Sequence, residues 1–251
     1  MPEINLRQLG SDTAKGGFRN EDTVVAKFND WRKDEDARAW LKIMEYNLEE
    51  IEKIVAVKLH GYKTDVQVQI TIYLKRAVSA ENLSVKLVSN TQGFNQIDKR
   101  WLDKYIELWS IPKSMARTLK LFTGEIRSNK KGLRDNRRMF FDEMDEVVQR
   151  DVVSFFETNK FLVVSDILKG SGRLSADWML VALKISTENK RWVLRSINHV
   201  LNVFGKGDVF ITNKGSLRIG KITMQRKGGD AGRDTANMLQ FKINPIELFN
   251  D

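Results

Sequence analysis

Asp65, Ser84 and Lys86 are the residues whose types and spacing could do chemistry: an acid, 18 intervening residues, then a hydroxyl and a lysine two apart. Set at the start of one strand and along its neighbour, such a trio suits metal-assisted phosphodiester hydrolysis. That reaction needs a divalent cation to neutralise charge developing on the phosphoryl oxygens and to activate water. Mg²⁺ takes oxygen ligands, often only one or two carboxylates, with water and substrate phosphate completing its shell. A lysine beside the cation can orient or deprotonate the attacking water and offset the charge of the pentacovalent state. The pattern D-x(18)-S-x-K is weakly specific by itself. It reads also as a turn aspartate, a sheet-filling serine and a solvated lysine.

The elements that must position these residues lie between Gly61 and Lys99. In DVQVQITIY, Val66, Val68, Ile70 and Ile72 alternate with polar residues, the period of a half-buried strand. LSVKLVS places Leu83, Val85 and Leu87 on one face and Ser84 and Lys86 on the other. Upstream, residues 20–31 read as a helix with Asn20 at its N-cap, Glu21 and Asp22 in the first turn, and Val24, Val25, Phe28 and Trp31 as a buried stripe. Residues 35–53 have helical character broken around Tyr46, and IVAVKLH is a strand leading into Asp65. Helices followed by adjoining strands predict an α/β or α+β fold, a central mixed sheet flanked by helices.

Downstream of Lys86, the run VSNTQGFNQIDK offers Gln92, Asn95, Gln96 and Lys99 in a polar loop. Amide side chains can read base edges, and an ordinary helix-capping turn uses the same residues. A helix follows in IDKRWLDKYIELW, whose apolar spacing reads as core packing. A second helix is predicted after Pro112, ending near Gly124. Residues 127–138 form a basic, apolar-poor loop: a solvated surface, or a phosphate-contacting one beside a duplex. Residues 137–159 read as a helical pair, FLVVSDILKG as a buried strand, and residues 178–205 as mixed strand and helix. Near the C-terminus, strands flank a turn at Asn213–Gly215 and precede a glycine-rich basic loop. There Gln225, Arg226, Lys227 and Arg233 surround Gly228, Gly229 and Gly232. Glycines let a backbone approach a groove closely, and Arg or Lys can donate to guanine O6 and N7. Arg233 could instead bind phosphate or pair with Asp230. The spacing does not fit a P-loop.

Composition narrows the classes. A chain of 251 residues with 41% hydrophobic residues can bury a substantial core and reads as one globular domain. Its catalytic core is expected at about 15–125, with recognition elements at 90–100 and 205–245. No apolar run reaches membrane-spanning length and no signal peptide is evident, so a cytoplasmic protein without a membrane partner is expected. Cysteine is absent and only His60 and His199 occur, which excludes disulfides, thiol catalysis and Cys- or His-based zinc centres. The formal net charge of +9 favours a polyanionic partner.

The chain resembles the PD-(D/E)xK type II restriction endonucleases, and within them the HinP-type enzymes that cut GCGC. The resemblance runs through TAKGGFRNED, GYKTDVQVQ, VKLVSNTQGFNQIDKRWL, LFTGE, RRMFF and QRKGGDAGRDTANMLQFKINPIELF, almost the whole chain. In that family the site reads roughly S-D-x(18)-Q-x-K, which implies Asp65 as the aspartate and Lys86 as the lysine. Two positions depart: Thr64 stands where serine is expected and Ser84 where glutamine, or more widely an acid, is expected. A hydroxyl is a shorter and poorer metal-side ligand, so Ser84 could act through a bridging water or leave the metal to Asp65, the Val85 carbonyl and another acid. Enzymes of this superfamily often bring a glutamate from the first helix, which makes Glu21 a candidate metal ligand as well as a first-turn acid.

The resemblance implies Mg²⁺, double-stranded DNA with a short palindromic target, a companion methyltransferase in the host, and either a homodimer or a monomer cutting each strand in turn. It implies readout by Asn95, Gln96, Lys99, Gln225, Arg226, Lys227 and Arg233. Two other readings stay open: a repair nuclease acting on DNA structure, and a sequence-specific binder whose nuclease site has decayed at Ser84.

Overall fold

The structure, a computed structural model, describes residues 19–59, 68–90, 92–184, 190–229 and 233–250. In chain order its elements begin with helices α1 (residues 19–29) and α2 (Glu35–Ile43). Strands β1 (Ile51–Lys58), β2 (Val68–Leu74), β3 (Val78–Val88) and β4 (Asn95–Arg100) follow. Next come helices α3 (Leu102–Leu108), α4 (Lys113–Thr123), α5 (Glu146–Thr158) and α6 (Lys160–Leu168). Strands β5 (Trp178–Lys184) and β6 (Lys190–Ser196) lead to helix α7 (Ile197–Gly205). The last strands are β7 (Val209–Ile211), β8 (Leu217–Ile219), β9 (Ile222–Arg226) and β10 (Leu239–Ile243). This is a mixed α/β fold, and the chain separates into two compact units whose segments interleave along the sequence.

The first unit takes the residues up to Gly93, Lys169–Val200, and those from Asn244 onward. Its sheet runs β1-β2-β3-β5-β6; β3 and β5 pair in parallel and the other neighbours are antiparallel. The alternation predicted for the second strand holds: Val68, Ile70 and Ile72 are fully buried and pack with Leu83, Val85 and the stripe Val24, Phe28, Trp31, Trp40 and Leu41. Helix α1 is fixed to the sheet edge where the Asn29 side chain brackets Ala56, accepting from its N–H at 2.8 Å and donating to its carbonyl at 3.2 Å. A buried polar group must find partners, and Asn82 on β3 does. Its side-chain amide donates to the Arg173 and Ser175 carbonyls, its Oδ1 accepts from Gln69, and its backbone N–H donates to Asp177. That network pins β2, β3 and the entry to β5 two residues before Ser84.

Asn20 does not cap the first helix. Residues 19 and 20 are already helical, and the buried Asn20 side chain has no hydrogen-bond partner among the described residues. The helical character of 35–53 ends at Ile43; Asn47 caps a short 3-10 turn, Leu48–Glu50, and the strand starts at Ile51.

The second unit comprises Phe94–Leu168 and Leu201–Ile243. Its sheet is antiparallel, ordered β4-β10-β9-β8-β7. Tyr105, Trp109, Phe156 and Phe241 form its aromatic centre, with ring centroids 4.6–6.4 Å apart. The predicted loop and helix over 95–109 resolve differently: 95–100 is an edge strand and the helix begins only at Leu102, after an extended Trp101. Pairing with β10 overrides the helical spacing of Ile97. The edge is held by Arg100, which ion-pairs with Asp98 at 3.2 Å and Asp166 at 2.7 Å, while the Tyr105 hydroxyl donates to Asp98 at 2.8 Å.

FLVVSDILKG is helix α6, not a strand: Val163, Val164, Ile167 and Leu168 recur at helical spacing and are buried together. A short apolar run carries both periods, so only packing decides. The predicted helical pair over 137–159 is a 3-10 turn at Phe141–Glu143 followed by α5. The helix after Pro112 ends at Gly124, whose φ of +85° supplies the left-handed cap that residues with a Cβ resist. The turn at 213–215 is likewise present, with Gly215 at φ +71° where a Cβ would strike Phe140 and Asp142.

Candidate functional site

In the first unit, β3 carries Ser84 and Lys86 on the same face, as the strand period requires. Neither is solvated. Ser84 is fully buried and Lys86 only 8% exposed, between β2 and β5 in the middle of the sheet order. The reading of Lys86 as a surface charge therefore fails. The Ser84 Oγ has no hydrogen-bond partner among the described residues. Asp65 and Thr64 lie outside the described residues.

Helix α1 brings Glu21 to this unit as a carboxylate with only 14% of its side chain exposed. Lys58, at the end of β1, lies 3.2 Å from Glu21 and 3.0 Å from the more exposed Asp22. Partial burial pushes the Glu21 carboxyl above its ordinary range; the Lys58 hydrogen bond and charge, and the charge of Lys86, pull it back only in part. Burial works against the Lys58 charge, but its bonds to Asp22 and Glu21 outweigh it and hold the ammonium above the usual lysine range. Glu21 and Lys86 thus feel one another electrostatically, although 64 residues separate them in the chain. Lys58 escaped the sequence reading; a lysine ending the run IVAVK was its one signal.

Among the described residues no cluster of three or more His, Cys, Asp or Glu forms a metal cage. The donors present still suit Mg²⁺ in kind: a largely buried carboxylate at Glu21 and an orphaned buried hydroxyl at Ser84 are hard oxygen ligands, and Mg²⁺ asks for few protein carboxylates.

In the second unit, strand register sorts the proposed DNA contacts. Lys99, Gln240 and Gln225 stand directly opposite one another across β4, β10 and β9, so they share a face. Lys242 is on that face by alternation; it pairs with Thr223 on β9 and, past an extra residue in β4 at Ile97, with Gln96. Gln96, Lys99, Gln225 and Lys242 therefore form one polar surface, opposite to the face on which Met224 and Phe241 are buried. A cleft of about 620 Å³ opens here, lined by Phe94, Phe210, Lys214, Thr223, Gln225 and Lys242 among others. Asn95 pairs with Ile243 and falls on the buried side.

Arg226 also belongs to the other face. Its side chain is 8% exposed, donates to Asn237 Oδ1 at 2.6 Å and lies 4.0 Å from Asp135. Lys227 continues the ladder, its N–H donating to the Met238 carbonyl, and is half-buried. Arg233 is exposed at the start of a 3-10 turn; Asp230 and Gly232 lie outside the described residues.

Comparison with known proteins gives a family and a fold. The sequence model of the R.HinP1I restriction endonuclease family matches residues 44–249, about four fifths of the chain. No curated protein sequence matches. The fold is similar to that of the restriction endonuclease MspI, solved in complex with its cognate DNA, at a TM-score of 0.66 over 96% of this chain and 94% of that one. Only 12% of residues are identical, so this likeness speaks for the fold alone.

Proposed function

Because the chain belongs to the R.HinP1I restriction endonuclease family and is thus a site-specific deoxyribonuclease, we propose that it cleaves double-stranded DNA at a short palindrome, GCGC, in a Mg²⁺-dependent reaction. The observation that carries this reading is the burial of Lys86 beside Ser84, with Glu21 in electrostatic reach. An ammonium is rarely buried without a task or a partner.

In this reading Asp65, Glu21 and Ser84 hold the cation through oxygen atoms, Ser84 directly or through water. When bound, Mg²⁺ supplies charge neutralisation at the phosphate and acidifies its water. Lys86 orients the attacking water and offsets negative charge as the phosphorus becomes five-coordinate. The Lys58 hydrogen bond and charge offset part of the burial that raises the Glu21 pKa. Gln96, Lys99 and Gln225, on one face of the second sheet, read base edges, and Lys227 and Arg233 add positive charge to the duplex contact. No helix among the described residues is long and apolar enough to cross a membrane, which accords with a cytoplasmic enzyme. A restriction role brings with it a methyltransferase that protects the host site. A palindrome is compatible with a homodimer or with a monomer cutting each strand in turn.

Digestion of unmethylated plasmid with Mg²⁺, with Lys86→Ala alongside and fragment ends sequenced, tests the reading. Recurrent ends at one palindrome, absent in the variant while specific binding persists, are expected. Loss of binding and cleavage together would remove Lys86 from catalysis. Ser84 favours one rival, a binder with a decayed nuclease site; tight specific binding without cleavage in Mg²⁺ or Mn²⁺ would select it.

A further inference from the structure

Within the second unit, three chain segments converge on a small cavity of about 190 Å³ whose walls include Arg127, Arg137, Arg226, Arg233, Asp234 and Asn237. Helix α4 ends at Gly124 and releases the chain toward Arg127; the basic loop then folds back, with the Met139 N–H donating to the Leu121 carbonyl at 2.9 Å. Asp135 holds Arg137 through two hydrogen bonds of 2.8 and 3.0 Å. Strand β9 delivers Arg226, Gly228 and Gly229 follow at φ +65° and +62°, and Arg233 stands at the start of the 3-10 turn beyond them.

The charge there is out of balance. Among the described residues four guanidinium groups line the walls against one lining carboxylate, Asp234, while Asp135 pairs with Arg137 and lies 4.0 Å from Arg226. A fifth arginine, Arg138, stacks on Phe140 at 3.8 Å; burial, then the nearby Arg226 charge, pull it down to about 10. The Arg226 Nε is buried with no hydrogen-bond partner among the described residues. A buried donor without an acceptor is costly, and five guanidinium N–H groups in a fixed fork match the oxygens of a phosphate. The cavity is smaller than the roughly 300–1,000 Å³ of clefts that enclose whole small-molecule ligands, which suits one phosphate group rather than a nucleoside.

We propose that this cavity seats one backbone phosphate of the bound duplex, with Arg226 as its buried floor and Arg127 and Arg233 as its exposed rim. The contact fixes the protein on the duplex and carries no sequence information. The source of the phosphate rests on the DNA-cleavage reading above; the anion site itself does not.

Two measurements on the full chain test it. Inorganic phosphate, titrated at constant ionic strength against chloride, should shift the arginine Nε–Hε resonance of Arg226 in the wild type and not in Arg127→Gln/Arg233→Gln. The same double variant should bind cognate and random duplex more weakly by the same factor. Its slope of log affinity against log salt should be shallower by about 0.9, the value for one neutralised phosphate. A phosphate shift that persists in the variant, or a loss confined to the cognate duplex with the slope unchanged, overturns the site. A wild type that responds to phosphate yet binds no duplex overturns the nuclease reading and leaves the anion site standing. Both replaced arginines are exposed, and matching thermal midpoints verify that the variant folds.

Discussion

At Ser84 the fold keeps a buried hydroxyl for which the described residues supply no partner. Burying such a group costs about 1–3 kcal/mol on the scale of mutational data. Ser84→Ala should therefore leave the thermal midpoint unchanged or raised while cleavage falls. A lowered midpoint with full cleavage would make the serine structural and remove it from the site. The serine, the lysine two residues on and their shared face were legible from strand period alone. Their burial was not, because it depends on β5, which enters the sheet beside them from about 95 residues away in sequence. The pairing of Glu21 with Lys58 was hidden for the same reason: 36 residues separate an acid that reads as a helix-start residue from a lysine that reads as a strand end. At Arg226 residue type misdirects, since an arginine in a glycine-rich loop reads as a groove contact, whereas the register of β9 turns it to the buried side.

Elements hold these residues only if their ends are fixed, and α2 shows how. Its N-cap Asp34 accepts from the Ala37 N–H at 2.9 Å and from Lys27 of α1 at 2.9 Å. Burial acts to raise the Asp34 pKa, but the Lys27 and Ala37 hydrogen bonds outweigh it and the group lies below the ordinary aspartate value. A depressed carboxyl contributes stability that is complete above the unfolded value near 3.8 and is lost as pH falls through the lower folded value. Asp34→Ala should cost about 1 kcal/mol, the usual worth of a cap. Asp34→Asn keeps the cap but loses the Lys27 ion pair, so it should lower stability at neutral pH and flatten this acid limb of the stability profile. Urea melts at neutral pH and below pH 4 separate the two, and an unchanged acid limb in Asp34→Asn would refute the assignment. Elements with a single strong period were legible, as in Val68–Ile72 or the helix ending at Gly124. β4 and α6 were not: six residues at a sheet edge and a short apolar run take their conformation from what they pair with or pack on.

Across the whole molecule, the net charge of +9 and the row Lys99–Gln240–Gln225 make different demands on DNA. Charge gives affinity for any duplex and declines with salt, by about 10³–10⁵ between 50 and 200 mM for proteins making roughly 6–10 phosphate contacts. Base-edge contacts add a difference between sequences, about 1–3 kcal/mol for each good bidentate pair, which salt scarcely touches. The two are separable by placement as well, because the proposed readers stand on the polar face of the second unit's sheet while Arg226 faces its other side. Gln225→Ala should thus lower affinity for the cognate duplex by about 1–3 kcal/mol yet leave random-duplex affinity and the salt slope as they were. Fluorescence anisotropy with both duplexes over a salt series, in Ca²⁺ to prevent cleavage, reads all three quantities. Equal losses on the two duplexes with a shallower slope would transfer Gln225 to the phosphate contacts and leave Gln96 and Lys99 as the base readers of that face.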